Sequence, residues 1–199
     1  MIQRNTSIKL VDFDKWYKKG WTSGLAKSIV AEYGVTPIRI LRNDENPDHV
    51  ILVSIAPTIE AFDNARSDPR IIELINDPET TAEPPEHLGF YTTTDLPNND
   101  GPDLFGFHIE HKLVDYDNWF KIFSEGPMRQ ELEKKYGVRA IRVLRSIGIP
   151  NEAQVVFTGP SQQAMDDMNN DERVQARFND QSIFICPPKI TGRYTVVII

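Results

Sequence analysis

The sequence predicts an α+β protein made of two tandem βαββαβ units, and three observations carry that prediction. The phrase KLVDFDKW at Lys9–Trp16 returns as KLVDYDNW at Lys112–Trp119, an offset of 112 − 9 = 103 residues. At the same offset, with no gap, YGVTPIRILR from Tyr33 falls on YGVRAIRVLR from Tyr136. Pro57, Asp68, Arg70, Gly89 and Tyr91 likewise fall on Pro160, Asp171, Arg173, Gly192 and Tyr194. Solenoid repeats run at about 20 to 50 residues, so a period this long marks a duplicated domain. The copies are expected at 1–94 and 105–199, joined by the Pro, Asn, Asp and Gly-rich linker 95–104.

Each element has a local reason. SIKLV reads as a strand, and Asp14 is expected to cap a helix that begins at Lys15. That helix ends near Gly34, a C-cap glycine, after which VTPIRILR resumes as a strand. HVILVSI is nearly continuous in apolar and β-branched residues, as a strand covered on both faces would be. TIEAFDNA and DPRIIELI give two short helices, the second with Pro69 in its first turn, and LGFYTTT closes the copy as a strand. The second copy repeats the order through TGRYTVVII. This βαββαβ order is the ferredoxin-like split unit. Its two helices cover one face of the sheet and leave the other needing cover. Two copies packed sheet to sheet within one chain would supply it, a dimer written as a monomer.

Composition narrows the partners. Of 199 residues, 40% are hydrophobic and 26% charged, as in an ordinary folded domain. A net charge of -7 with no basic cluster disfavours nucleic acid and anionic lipid. The opening MIQRNTSIKL lacks the apolar run of a signal peptide and no stretch approaches the length of a membrane span, so the chain reads as cytoplasmic. The single cysteine, Cys186, reads as a small buried apolar residue.

The pattern V-D-[FY]-D-x-W, a helix, Y-G-V, then I-R-x-L-R and a second helix resembles the dimeric α+β barrel superfamily, which includes the antibiotic-biosynthesis monooxygenase group. The likeness covers both copies and rests on strand and cap positions. It implies an intrachain α+β barrel with a small-molecule cleft between the sheet and helices of each unit. The activities it implies range over cofactor-free oxygenation of aromatic or polyketide-type compounds, isomerisation, haem chemistry and non-catalytic, stress-related binding. Fold alone does not choose among these. The expected partners are a small apolar or aromatic ligand and further copies of the fused pair, with no cofactor.

Standard catalytic signatures are missing: there is no G-x-S-x-G, P-loop, G-x-G-x-x-G or H-E-x-x-H. In HIEH, His108 and Glu110 point one way along a strand and His111 the other, so the three cannot share a metal ion. His111 stands where the first copy has Ile8 and should face an apolar interior. There it is either a proton acceptor for a phenol or enol, or a histidine satisfied by a backbone carbonyl or a facing carboxylate. His108 replaces Asn5 on the other face and is expected to be half exposed.

Gly126 and Pro127 should break the long helix of the second copy, and Gly20 and Gly24 allow a similar kink in the first. A helix broken over a sheet leaves either a packed kink or a gap, whose natural walls would be Trp119, Phe123 and Met128. Arg39 and Arg142 alternate with apolar neighbours and are expected either to pair with a carboxylate from the other unit or to anchor a ligand's carboxylate or enolate oxygen. Arg42 and Arg145 are expected in solvent, and Asp12 and Asp115 are expected to hold turns.

Overall fold

The computed structural model describes residues 1–97 and 105–198. The chain divides into two compact units, Met1–Tyr91 with Val196–Ile199, and Thr92–Thr195. In the first sequence copy the elements run β1 (Ile2–Lys9), α1 (Phe13–Trp16), a π-helical turn (Tyr17–Thr22), α2 (Leu25–Ala31), β2 (Thr36–Asn43), β3 (His49–Ala56), α3 (Ile59–Ser67), α4 (Pro69–Ile75) and β4 (Glu86–Asp95), the last strand continuing past Tyr91 into the second unit. In the second they run β5 (Phe105–Lys112), α5 (Tyr116–Glu125), α6 (Pro127–Tyr136), β6 (Arg139–Ser146), β7 (Glu152–Gly159), α7 (Gln162–Asn169), α8 (Glu172–Phe178) and β8 (Lys189–Ile198). Strands neighbour one another in the order β4-β1-β3-β2 in the first unit and β8-β5-β7-β6 in the second. Both are the 4-1-3-2 order of the ferredoxin-like unit, and the chain is α+β as the sequence predicts. Of the expected linker, β4 takes Asp95 and Leu96 is buried, its N–H donating to the Ile141 carbonyl at 3.0 Å; residues 98–104 lie outside the described residues.

Register follows from the apolar pattern. Ile8 sits opposite Val50, and His111, at the same place in the second copy, sits opposite Ala153. Both second strands carry a bulge at matching positions, between Pro37 and Arg39 and between Ala140 and Arg142.

The doubled Tyr-Gly-Val phrase now has a physical reason. Gly34 and Gly137 adopt φ of 74° and 70°, the left-handed turn that ends a helix with no Cβ penalty. The tyrosine before each glycine donates its hydroxyl to a buried aspartate: Tyr33 to Asp68 at 2.8 Å and Tyr136 to Asp171 at 2.9 Å. Each aspartate also caps the next helix through the backbone N–H of Arg70 or Arg173 and accepts from that arginine's side chain. Arg70, and in the second unit Arg173, hold these carboxyls well below the usual carboxylate range.

The cores differ. In the second unit one continuous cluster gathers Phe107, Ile109, Leu113, Trp119 and Phe157, with the Phe107 and Phe157 rings stacked at 5.0 Å. The first copy has Arg4 and Ser54 at those two positions, and its core falls into two clusters, one around Ile8 and Trp21 and one around Phe62.

Several expectations need correcting. Asp12, not Asp14, caps the first helix: its extended backbone lets the carboxylate accept from the Lys15 N–H at 3.0 Å, and the helix starts at Phe13. Asp115 does the same for α5 through Asn118. His108 is buried, its ring 5.4 Å from that of Tyr194, because β5 is paired on both sides and carries Phe107, His108 and Ile109 buried in succession. Arg42 and Arg145 are half-buried rather than solvated. Each lays its guanidinium 4.0 Å from the ring of the residue just after a capping aspartate, Phe13 and Tyr116, and donates to a loop carbonyl of Pro47 or Pro150. Cys186 is exposed rather than buried, at a bend two residues after the bridging Phe184. No helix among the described residues is long and apolar enough to cross a membrane.

Candidate functional site

The site of the second unit is created by the break between α5 and α6. α5 ends where Gly126 donates its N–H to the Ile122 carbonyl at 3.0 Å, and Gly126 itself turns extended, with φ −71° and ψ 148°. Pro127 then opens α6, supplying a fixed φ where no intrahelical N–H is needed. A Cβ on Gly126 would collide with the Ile122 carbonyl, so only glycine turns the chain so tightly here.

Beneath the break lies a cavity of about 100 Å³, walled by His111, Trp119, Phe123, Met128, Arg129 and Phe184 among others. Trp119 and Phe123 stack at 5.2 Å with an interplanar angle of 11°. The His111 ring stands 5.1 Å from Trp119 and 5.6 Å from Phe184. His111, Trp119, Phe123 and Met128 are therefore brought together. Arg142 does not line the cavity; its Nε donates to Asp95 Oδ1 at 2.5 Å.

Burial lowers the His111 pKa to about 4, so the ring is neutral near pH 7. Its Nδ1 is 2.9 Å from the Ile109 carbonyl, and a carbonyl only accepts. The proton is thus assigned to Nδ1, which leaves Nε2 as a lone-pair acceptor.

Arg129 escaped the sequence reading. It sits in PMRQELEKK, a run that looks solvated, yet the residue is 8% exposed and its Nε and Nη1 are sealed from solvent with no hydrogen-bond partner. The signal was available: the first copy has Ala26 at this position, so Arg129 is a polar replacement of an apolar residue, as His111 is of Ile8.

The first unit has a matching cavity of about 120 Å³. Ile8, Trp16, Gly20 and Ala26 occupy the places of His111, Trp119, Phe123 and Arg129 in its wall. The break above it is made differently, by the π-helical turn and by Gly24 at φ 76°. Trp21 is buried with its ring 5.6 Å from that of Trp16, tilted by 56°, where Phe123 stacks on Trp119 in the other copy. Arg4 enters from β1; burial first, and Arg66 second, lower its pKa to about 10, and its Nε has no partner.

No family model matches the chain, and no curated protein does. Solved structures do match. An anthrone oxidase-like protein aligns over 98% of this chain and 91% of its own at 13% identity and a TM-score of 0.59. A heme-binding protein from Thermus thermophilus aligns over 100% and 91% at 12% identity and 0.53. A protein from Lactobacillus acidophilus provisionally assigned as a monooxygenase aligns over 100% and 92% at 12% identity and 0.51. At such identities the likeness is one of fold. The chain has the α+β-barrel fold of these proteins, as a tandem pair of ferredoxin-like units.

Haem does not fit the cavity of the second unit. His111 could offer Nε2 to a metal, but the ring stands between Trp119 and Phe184, and about 100 Å³ is far less than a tetrapyrrole occupies. Among the described residues no group of three or more His, Cys, Asp or Glu is placed to hold a metal ion.

Proposed function

We propose that the chain binds a small aromatic molecule with an acidic hydroxyl in the cavity of the second repeat, residues 105–199, and that His111 is the proton acceptor. The observation that carries this reading is the His111 ring: neutral, anchored through Nδ1, with Nε2 left as acceptor in a cavity whose other walls are largely apolar. An apolar cavity of about 150 Å³ admits benzene in another protein, so the present space of about 100 Å³ takes no more than a single ring and is too small for a multi-ring polyketide. The names of the anthrone oxidase-like and monooxygenase-assigned neighbours support an oxidisable aromatic ligand.

Magnitudes sharpen the substrate class. With His111 near 4, taking a proton from an ordinary phenol near 10 is uphill by about 8 kcal/mol. A hydrogen bond to Nε2 forms easily; full transfer needs an acidic phenol or enol, or a cation beside the anion. In that step the O–H bond breaks, N–H forms at Nε2, and the ligand keeps the electron pair. The resulting anion is the species from which cofactor-independent oxygenation or isomerisation starts.

The first repeat favours a second reading, binding without chemistry, because its equivalent cavity keeps the tryptophan wall but has Ile8 where a proton acceptor would be. The discriminating experiment is His111→Ile, which installs the residue the first copy already uses. The variant should fold and should lose turnover of acidic phenols and enols. Full activity in His111→Ile would remove the catalytic reading and leave binding.

A further inference from the structure

The geometry points to an anion site: the second repeat's cavity takes its aromatic ligand as a carboxylate or a comparably localised anion, paired with Arg129. This rests on the reading of that cavity as a small-aromatic site and specifies the charge of what enters it.

Three observations converge. The guanidinium of Arg129 is buried, and its Nε and Nη1 have no hydrogen-bond partner although the side chain lines the cavity. A buried cation without a counter-charge is costly, since it gives up water and gains nothing in return. Among the described residues that line this cavity there is no aspartate or glutamate; its other cation, Arg177, lies at 4.0 Å from Asp180. The first repeat's cavity repeats the pattern with different residues: Arg4 and Arg66 line it together with Lys19, which is paired with Asp77 at 2.7 Å, and no carboxylate is among its described lining residues. In a chain of net charge -7, two duplicated cavities that each gather basic residues and exclude acidic ones are matched to anions. Arg129 presents a planar fork of donors suited to two oxygens, and the Trp119 and Phe123 rings provide the flat apolar wall for the ring that bears them.

The test compares benzoate with its neutral isostere benzamide by calorimetry in low-chloride buffer, on the full chain and on Arg129→Met, which keeps length and removes charge. The wild-type chain should bind benzoate at least tenfold more tightly than benzamide. Arg129→Met should lose that preference while keeping its affinity for benzamide, and should melt no lower than wild type because an unpaired buried cation is gone. Equal affinity for the two ligands in the wild-type chain, or an unchanged preference in Arg129→Met, overturns the anion site while leaving a small-aromatic cavity intact. Chloride or formate protecting as well as benzoate at equal concentration overturns the aromatic class. No binding of either ring overturns both. Arg129-dependent benzoate binding with no His111-dependent turnover of any phenol upholds the anion site and sinks the catalytic reading.

Discussion

The imidazole of His111 and the indole of Trp119 lie 5.1 Å apart, inclined by 43°, inside a wall that admits almost no water. A charged imidazolium is poorly housed there, and this has a measurable thermodynamic signature. The folded-state pKa is about 4 against an ordinary 6.5. Between these values the unfolded chain binds a proton that the folded chain refuses, so stability falls as pH drops from 6.5 towards 4. The full loss corresponds to about 3 kcal/mol. Melting temperatures across that range should fall more steeply in the wild-type chain than in His111→Ile, which keeps the smaller contribution of His87, whose pKa burial also lowers; parallel curves for the two proteins would contradict the burial of a neutral ring.

Gly126→Ala tests the helix break. The added Cβ collides with the Ile122 carbonyl, so either the last turn of α5 unwinds or α6 shifts. A loss of roughly 1–3 kcal/mol is expected, as for other overpacked sites. Ligand affinity should fall with it, because Phe123 and Met128 flank the break. The same substitution at Gly20 meets only the Ala26 side chain at 3.7 Å and should be far milder. Urea melts of both variants decide the matter.

Asp171 supplies an acid-limb prediction. Arg173 and then Lys135 hold its carboxyl below the normal range, so its contribution is complete above about pH 4 and disappears as pH falls through the depressed folded value. Asp171→Asn should be destabilised at about pH 7, and the gap to wild type should narrow below about pH 4. Asp68→Asn should behave alike, since Tyr33 and Arg70 surround it in the same way. A gap independent of pH would mean the carboxylate's charge is irrelevant to its role as cap.

Phe123→Gly copies Gly20 of the first repeat and removes the ring stacked on Trp119. Phe123 is only partly buried, so the cost should be roughly 1–3 kcal/mol, below that of a fully buried phenylalanine. The enlarged cavity should accept a two-ring phenol such as 2-naphthol that the wild-type chain binds weakly. Thermal shifts with phenol and 2-naphthol would show whether Phe123 sets the size limit.

The strand and helix order of both units was legible in the sequence because each copy corroborates the other: Tyr33 and Tyr136, or Pro69 after Asp68, fall at positions that only one element assignment explains. The cap of the first helix, by contrast, was misplaced by two residues because Asp12 and Asp14 are both capping residue types. The walls Trp119, Phe123 and Met128 were legible from the Gly126–Pro127 break. Arg129 was not, because a helix such as PMRQELEKK carries no periodic sign of which charged residue points inward; that depends on the angle at which α6 leaves the break. His108 was misjudged for a related reason, since alternation tells which residues share a face but not whether the second face is covered. Arg142 lies on a bulged strand, and a bulge re-aims a side chain in a way the alternating pattern does not reveal.

The contrast between Ile8 and His111, and between Ala26 and Arg129, has a genetic consequence. In a homodimer of identical units any codon change is expressed in both halves, so a polar group placed in one pocket burdens its twin as well. Fusing the halves into one reading frame releases each from that constraint. One pocket can acquire a titratable ring, and an unpaired cation on its broken helix, while the other keeps apolar residues at those positions and carries its partly buried arginine, Arg4, on the first strand instead. Heterogeneity of this kind predicts one binding stoichiometry for acidic phenols and another for plain anions in the same molecule.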